Sequence, residues 1–194
     1  MRISLSRLAA EARACQLCKR QLEPRPVFRV RAGARLLIVG QAPGRRVHDT
    51  AIPWNDASGD VLRDWLAMDR ESFYDSSRIA IVPIGLCYPG SAGGADLPPA
   101  PRCAPLWQPK FRAALPRISL TLLVGSYAQA FYLEVSRKPT LAQTVRAYSQ
   151  YLPEFFPLPH PSWRNKAWLK KNAWFAKDVI PALRRRVNAC LRSV

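Results

Sequence analysis

The stretch Ala34-Arg35-Leu36-Leu37-Ile38-Val39-Gly40-Gln41-Ala42-Pro43-Gly44 decides the fold. Its apolar half is too short for a helix of useful length and is closed by glycine and proline. That pattern predicts a strand buried on both faces, feeding a loop. Three later runs follow the same rule. Ile79-Ala80-Ile81-Val82-Pro83-Ile84 is a second strand candidate whose pairing should stop at Pro83. Leu120–Val124, closed by Gly125, is a third, and Phe155–Leu158, closed by Pro159, is a fourth. Helical spacing is expected over residues 3–22, after Gly59 through Leu62, Trp65 and Leu66, over 106–115 and 126–135, and from Lys166 to about Arg192. Strands alternating with helices predict an α/β fold, a three-layer α/β/α sandwich on a central, mostly parallel four-stranded sheet. One domain covers 1–194. In such sheets ligands sit beyond the carboxyl ends of the strands, so the loops at 40–59, 85–105 and 159–165 should converge.

Charge restricts the partner. Thirty Lys and Arg against thirteen Asp and Glu give a net charge of +17 on 194 residues. Between residues 163 and 194 Asp178 is the one acid, among Arg164, Lys166, Lys170, Lys171, Lys177, Arg184, Arg185, Arg186 and Arg192. One-sided charge of this size argues against a storage or structural role and for a polyanion, nucleic acid before membrane. No apolar run approaches the roughly 20 residues of a spanning helix. Arg2 and Arg7 are not followed by the apolar stretch of a secretory signal. The expected setting is the cytoplasm, and the expected state a monomer.

Three groups of residues carry chemistry. Gly40, Gln41 and Ala42 open a loop in which glycine lets backbone approach a ligand. Further on, Trp54 precedes Asn55 and Asp56, and a Trp beside polar loop residues suits stacking on a planar ring. His160 stands between Pro159 and Pro161, followed by Ser162, Trp163, Arg164 and Asn165, residue types that contact phosphates and bases. The other histidine, His48, lies with Asp49 in the first loop. Finally Cys15 and Cys18 form C-x-x-C, and Cys87 and Cys103 follow singly. One pair plus two separated cysteines suits an iron–sulfur cluster as well as zinc, with four ligand-free thiols as the bland alternative.

Taken in order, Gly40-Gln41-Ala42-Pro43-Gly44, Pro53-Trp54, the four cysteines and His160-Pro161-Ser162 resemble the uracil-DNA glycosylase superfamily, nearest its iron–sulfur branch, often called family 4. The resemblance covers the chain from about Cys15 to Asn165. It implies a monofunctional DNA-repair enzyme that flips a damaged base out of single- or double-stranded DNA and hydrolyses its N-glycosidic bond. Trp54 would stack on the base, with Gly40, Gln41 and Ala42 of the first motif around it. His160 would face the uracil O2 and stabilise the charge left as the bond breaks. Ser162, Trp163, Arg164 and Asn165 would enter the minor groove. Cys15, Cys18, Cys87 and Cys103 would hold a structural 4Fe–4S cluster.

The chain departs from that pattern twice. Ala42 stands where other branches carry Asp or Asn to hold the attacking water, which leaves His48 or Asp49 as the expected polarising group. Pro83 stands where the iron–sulfur branch carries an Asn that reads the base edge. A proline offers neither a side-chain hydrogen bond nor an N–H. Base reading then falls to Asn55, Asp56 or backbone amides, and hypoxanthine or xanthine join uracil as candidate substrates. The alternative function is a non-catalytic binder of abasic or damaged DNA.

Overall fold

The computed structural model describes residues 4–192. The chain opens with α1 (Leu5–Arg13), capped by the Ser4 hydroxyl, which accepts from the Arg7 N–H. The expected helix over 3–22 is shorter than that. It ends at Ala14, residues 15–22 run as successive turns, and Ile3 lies outside the described residues.

Strand β1 (Leu36–Val39) comes next and is buried throughout. The following loop is less irregular than the sequence suggests, because it holds α2 (Arg45–Thr50), which starts at Gly44. Then come α3 (Ala57–Leu66), capped by Asp56, and α4 (Arg70–Tyr74), capped by Asp69. Strand β2 (Ile79–Ile81) stops two residues before Pro83. The Gly- and Pro-rich stretch after it carries a small antiparallel hairpin, β3 (Ser91–Ala92) and β4 (Ala95–Asp96). The chain continues through α5 (Cys103–Ala114), β5 (Leu120–Val124), α6 (Ser126–Leu133), α7 (Leu141–Arg146) and β6 (Phe155–Leu158). The expected single C-terminal helix is divided into α8 (Lys166–Lys171), a π-helical turn at Phe175–Val179, and α9 (Ile180–Arg192). Asn172 marks the break: its side-chain amide donates to the Trp168 carbonyl and its oxygen accepts from the Trp174 indole, so side chain replaces helix ladder there.

The main sheet has the order β2-β1-β5-β6 and is parallel throughout. Pro157 is tolerated because β6 is an edge strand. Alternation along β1 divides the core. Leu36 and Ile38 pack with α3, α7 and α9, including Leu62, Val145 and Leu183. Leu37 and Val39 pack with α1, α5 and α6, including Leu8, Phe111 and Ala128. Helices on both faces of a parallel sheet make the three-layer α/β/α sandwich that the strand pattern predicts. From β1 the chain moves outward to β2 and later returns to the other side as β5. The sheet order therefore reverses at β1 and β5, and a crevice is expected beyond Val39 and Val124.

Candidate active site

A cavity of about 420 Å3 opens at that reversal point. This lies within the range of pockets that take small organic groups, roughly 300–1,000 Å3. Its lining includes Gly40, Gln41, Ala42, Pro83, Trp54, His160, Ser162, Trp163, Arg164 and Asn165, so residues far apart in sequence meet here. The loop after β1 is fixed by backbone pairing to the extension of β2. The Ile84 N–H donates to the Gly40 carbonyl at 2.9 Å, and the Gly85 N–H to the Gln41 carbonyl at 2.8 Å.

Trp54 rests on Gly40. A methyl group placed on Gly40 would lie 2.7 Å from Trp54 Cζ2, so the indole can approach only because position 40 has no side chain. Trp54 itself is held at φ 58°, a left-handed conformation unfavourable for a bulky residue. Its neighbours enforce it. Arg63 Nη1 donates to the Trp54 carbonyl at 3.2 Å, and the Tyr74 hydroxyl donates to the Pro53 carbonyl at 2.8 Å. Arg63 also lies over the Phe73 and Tyr74 rings. No sequence motif marks Arg63 or Tyr74. Their signal is only that a buried arginine needs partners.

His160 enters from the end of β6. Gly125 packs beside it at φ 90°, a left-handed backbone that favours glycine, and a methyl there would only touch His160 Cβ at 3.5 Å. The Asn165 amide donates to the His160 carbonyl at 2.6 Å and fixes the loop. The imidazole and the Trp54 indole lie 5.6 Å apart, tilted by 34°. His160 Nδ1 is buried without a hydrogen-bond partner among the described residues. Burial lowers the His160 pKa below its ordinary value, and the Asp56 carboxylate only partly opposes this. At neutral pH the ring is therefore an uncharged donor and acceptor facing the cavity.

The loop after His160 forms one wall. The Ser162 hydroxyl accepts from the Arg164 N–H at 3.1 Å, and the Arg164 guanidinium donates to the Gly94 carbonyl in the β3–β4 hairpin. Trp163 is 71% exposed, a large apolar ring presented to solvent at the cavity mouth. Behind the opposite wall, Gln108 donates to the Pro83 carbonyl at 2.7 Å and accepts from the Tyr132 hydroxyl at 2.7 Å. Pro83 thus offers an apolar surface to the cavity, with its carbonyl engaged from behind. Gln108 and Tyr132 were also silent in the sequence.

Three candidate residues lie elsewhere. His48 is buried on α2, where Nε2 faces Glu23 Oε2 at 3.2 Å and the ring packs 5.7 Å from Tyr88. Asp49 is exposed and pairs with Arg45 at 3.2 Å. Asn55 Oδ1 accepts from Arg70 Nη2 at 2.7 Å. None of the three lines the cavity. Asp56 does; its Oδ1 caps α3 by accepting from the Gly59 N–H at 2.8 Å.

Cys15, Cys18, Cys87 and Cys103 line a second, narrow cleft with Trp107. All are free thiols. Burial pushes Cys87 up to about 12 and Cys103 up to about 11, and the neighbouring cysteines add to both shifts. The Leu86 N–H donates to Cys103 Sγ at 3.3 Å, and the Trp107 indole N–H is buried without a partner among the described residues. Among those residues no three potential ligand side chains are drawn together closely enough to form a ready metal site.

A mostly parallel sheet, a ring-sized cavity at its reversal point, and a facing indole and imidazole are now in place. The sequence profile of the uracil DNA glycosylase superfamily matches residues 28–184, from ahead of β1 into α9. The chain belongs to the uracil DNA glycosylase superfamily.

Proposed function

We propose that the protein is a monofunctional DNA glycosylase that hydrolyses the N-glycosidic bond of uracil in DNA and leaves an abasic site. The observation that carries this reading is the facing pair Trp54 and His160 on one cavity. A flipped base would stack on the indole, an interaction worth about 1–3 kcal/mol. As the C1′–N1 bond breaks, its electron pair passes into the uracil ring and negative charge builds on the base oxygens. A neutral, desolvated imidazole that donates to such an oxygen stabilises the transition state more than the ground state. Trp163 and Arg164 at the cavity mouth would support the extruded nucleotide, and the +17 charge would hold the phosphates.

Base choice follows from what surrounds Trp54. Pro83 removes one hydrogen-bonding contact to the base edge, and Asn55 is engaged by Arg70. Backbone groups of the Gly40–Ala42 loop are left to read the base, which suits a pocket admitting hypoxanthine or xanthine besides uracil. The same loss of a reading side chain favours the second hypothesis, a protein that binds abasic DNA without releasing a base. Oligonucleotides carrying uracil, hypoxanthine, xanthine or a thymine mismatch, followed by alkaline cleavage, separate these. Alkali-labile sites at uracil support the glycosylase; tight binding to abasic DNA without any new labile site supports the binder.

The donor chemistry of the four cysteines suits a 4Fe–4S cluster, which would have to draw the thiols together, since among the described residues no three form a ready site. They line one cleft and are all free, the Leu86 N–H already donates to Cys103 Sγ, and the Trp107 N–H, without a partner among the described residues, would donate to a sulfide or thiolate. A cluster there would be structural, tethering the turns of residues 15–22 to the start of α5. The reaction itself would run on Trp54, His160 and the loop after β1.

A further inference from the structure

Hydrolysis needs a group to take the proton of the attacking water, and His48 and Asp49 face away from the cavity. Among the described residues two carboxylates line it, Asp56 and Asp96, and they approach each other at Gly44. A methyl on Gly44 would lie 3.4 Å from Asp96 Oδ2 and 3.9 Å from Asp56 Oδ2. The two differ in commitment. Asp56 is tied to the start of α3 through its hydrogen bond from Gly59. Asp96 ends the β3–β4 hairpin and makes no side-chain hydrogen bond or ion pair among the described residues. The Arg164 guanidinium, bonded to the Gly94 carbonyl, ties that hairpin to the loop after His160. Asp96 thus stands on the cavity, uncommitted among the described residues, in a short hairpin that the His160 loop holds in place.

Resting on the glycosylase reading above, we propose that Asp96 is the general base that takes a proton from the attacking water. The water oxygen bonds to C1′ as the C1′–N1 bond breaks, the bonding pair leaves with the base, and the water proton passes to an Asp96 carboxylate oxygen. Among the described residues Arg164 from the loop after β6 and Asp56 from the start of α3 act on this carboxylate, and His160 lines the same cavity. Partial burial at the cavity rim raises the Asp96 pKa, Arg164 opposes that shift, and Asp56 adds to it. A base raised toward the working pH is better matched to proton transfer than an ordinary surface carboxylate.

The test is single-turnover release of free uracil from a uracil-containing oligonucleotide, measured from pH 4.5 to 9 for wild type, Asp96→Asn and Asp56→Asn. The wild-type rate should rise with pH through the carboxyl range and then level. Asp96→Asn should lose about 100-fold or more at neutral pH, the usual minimum share of a general base. Its remaining rate should lack the acid limb, while Asp56→Asn should keep that limb. Because Asp96 sits on an exposed hairpin, its unfolding midpoint should stay at the wild-type value. An Asp96→Asn rate within threefold of wild type overturns the proposal, as does a slow variant that keeps the acid limb. A wild-type protein that releases no base removes the glycosylase reading itself, and this assignment with it.

Discussion

The Trp54 indole and the His160 imidazole lie 5.6 Å apart, tilted by 34°, on the cavity where the sheet order reverses. One hangs from the loop after β1 and the other from the end of β6, on opposite sides of the reversal. Gly40 leaves the space that the indole fills, and Gly125, held at φ 90°, packs beside the imidazole. Positioning by rigid backbone contacts is what a transition-state donor needs, since small displacements weaken such stabilisation steeply.

Replacing His160 tests the donor. His160→Ala should fold normally and lose about 100- to 1,000-fold in the rate of base release, the range seen when one donor to a developing oxyanion is removed. Circular dichroism and single-turnover base release check the two halves. The buried ring also has a stability consequence. Its folded pKa is lowered, so the unfolded chain binds more protons as pH falls through the ordinary histidine range. The unfolding midpoint of the wild type should therefore drop between pH 7 and 5, and that of His160→Gln should drop less.

Gly40→Ala should be worse than its size suggests. The added methyl would meet Trp54 Cζ2 at 2.7 Å, and the ring cannot yield freely because Arg63 and Tyr74 hold its backbone. Overpacking of this kind costs about 1–3 kcal/mol. Both the unfolding free energy and the rate of base release should fall, whereas Trp54→Phe should retain stability and lose mainly affinity for the flipped base.

Gln108→Leu should destabilise the wall behind Pro83. Gln108 is buried, and its loss strands the Pro83 carbonyl and the Tyr132 hydroxyl. Leaving buried polar groups unpaired costs about 1–3 kcal/mol each way such a bond is broken. Denaturant unfolding should register that loss with an unchanged slope.

Protein purified without exposure to oxygen should carry about four irons per chain, as a cysteine-ligated cubane would require. Cys87→Ser should lower the iron content and the unfolding midpoint together. Trp107→Phe, which removes the partnerless indole N–H, should alter the visible spectrum and leave the iron content near wild type. Zinc in place of iron would be read directly by elemental analysis.

Much of this arrangement was legible in the sequence because burial leaves a simple mark. Leu36–Val39, Leu120–Val124 and Phe155–Leu158 read as strands since parallel strands covered on both faces are continuously apolar. Strand β2 ends at Ile81, but backbone pairing to the loop after β1 runs on past Pro83 through the Ile84 and Gly85 N–H groups, so proline did not stop it there. Gly40 marked the loop that carries Trp54, and Pro159 and Pro161 the turn that carries His160. What escaped was support that has no local pattern. Arg63, Tyr74, Gln108 and Tyr132 act through contacts made 9 to 25 residues away or more, and nothing in their own neighbourhoods distinguishes them. Asp96 escaped for another reason: a two-residue strand is below what periodicity can resolve. His48 and Asp49 are adjacent to the right loop in sequence, but α2 turns them toward Glu23 and Arg45.

The central claim is base release, and the most direct measurement is free uracil liberated from a uracil-containing oligonucleotide under single-turnover conditions. The account predicts one uracil released per abasic site formed, with strand cleavage only after alkali and with His160→Ala at least about 100-fold slower. No free uracil from the wild-type protein, despite tight binding to the same DNA, would contradict it.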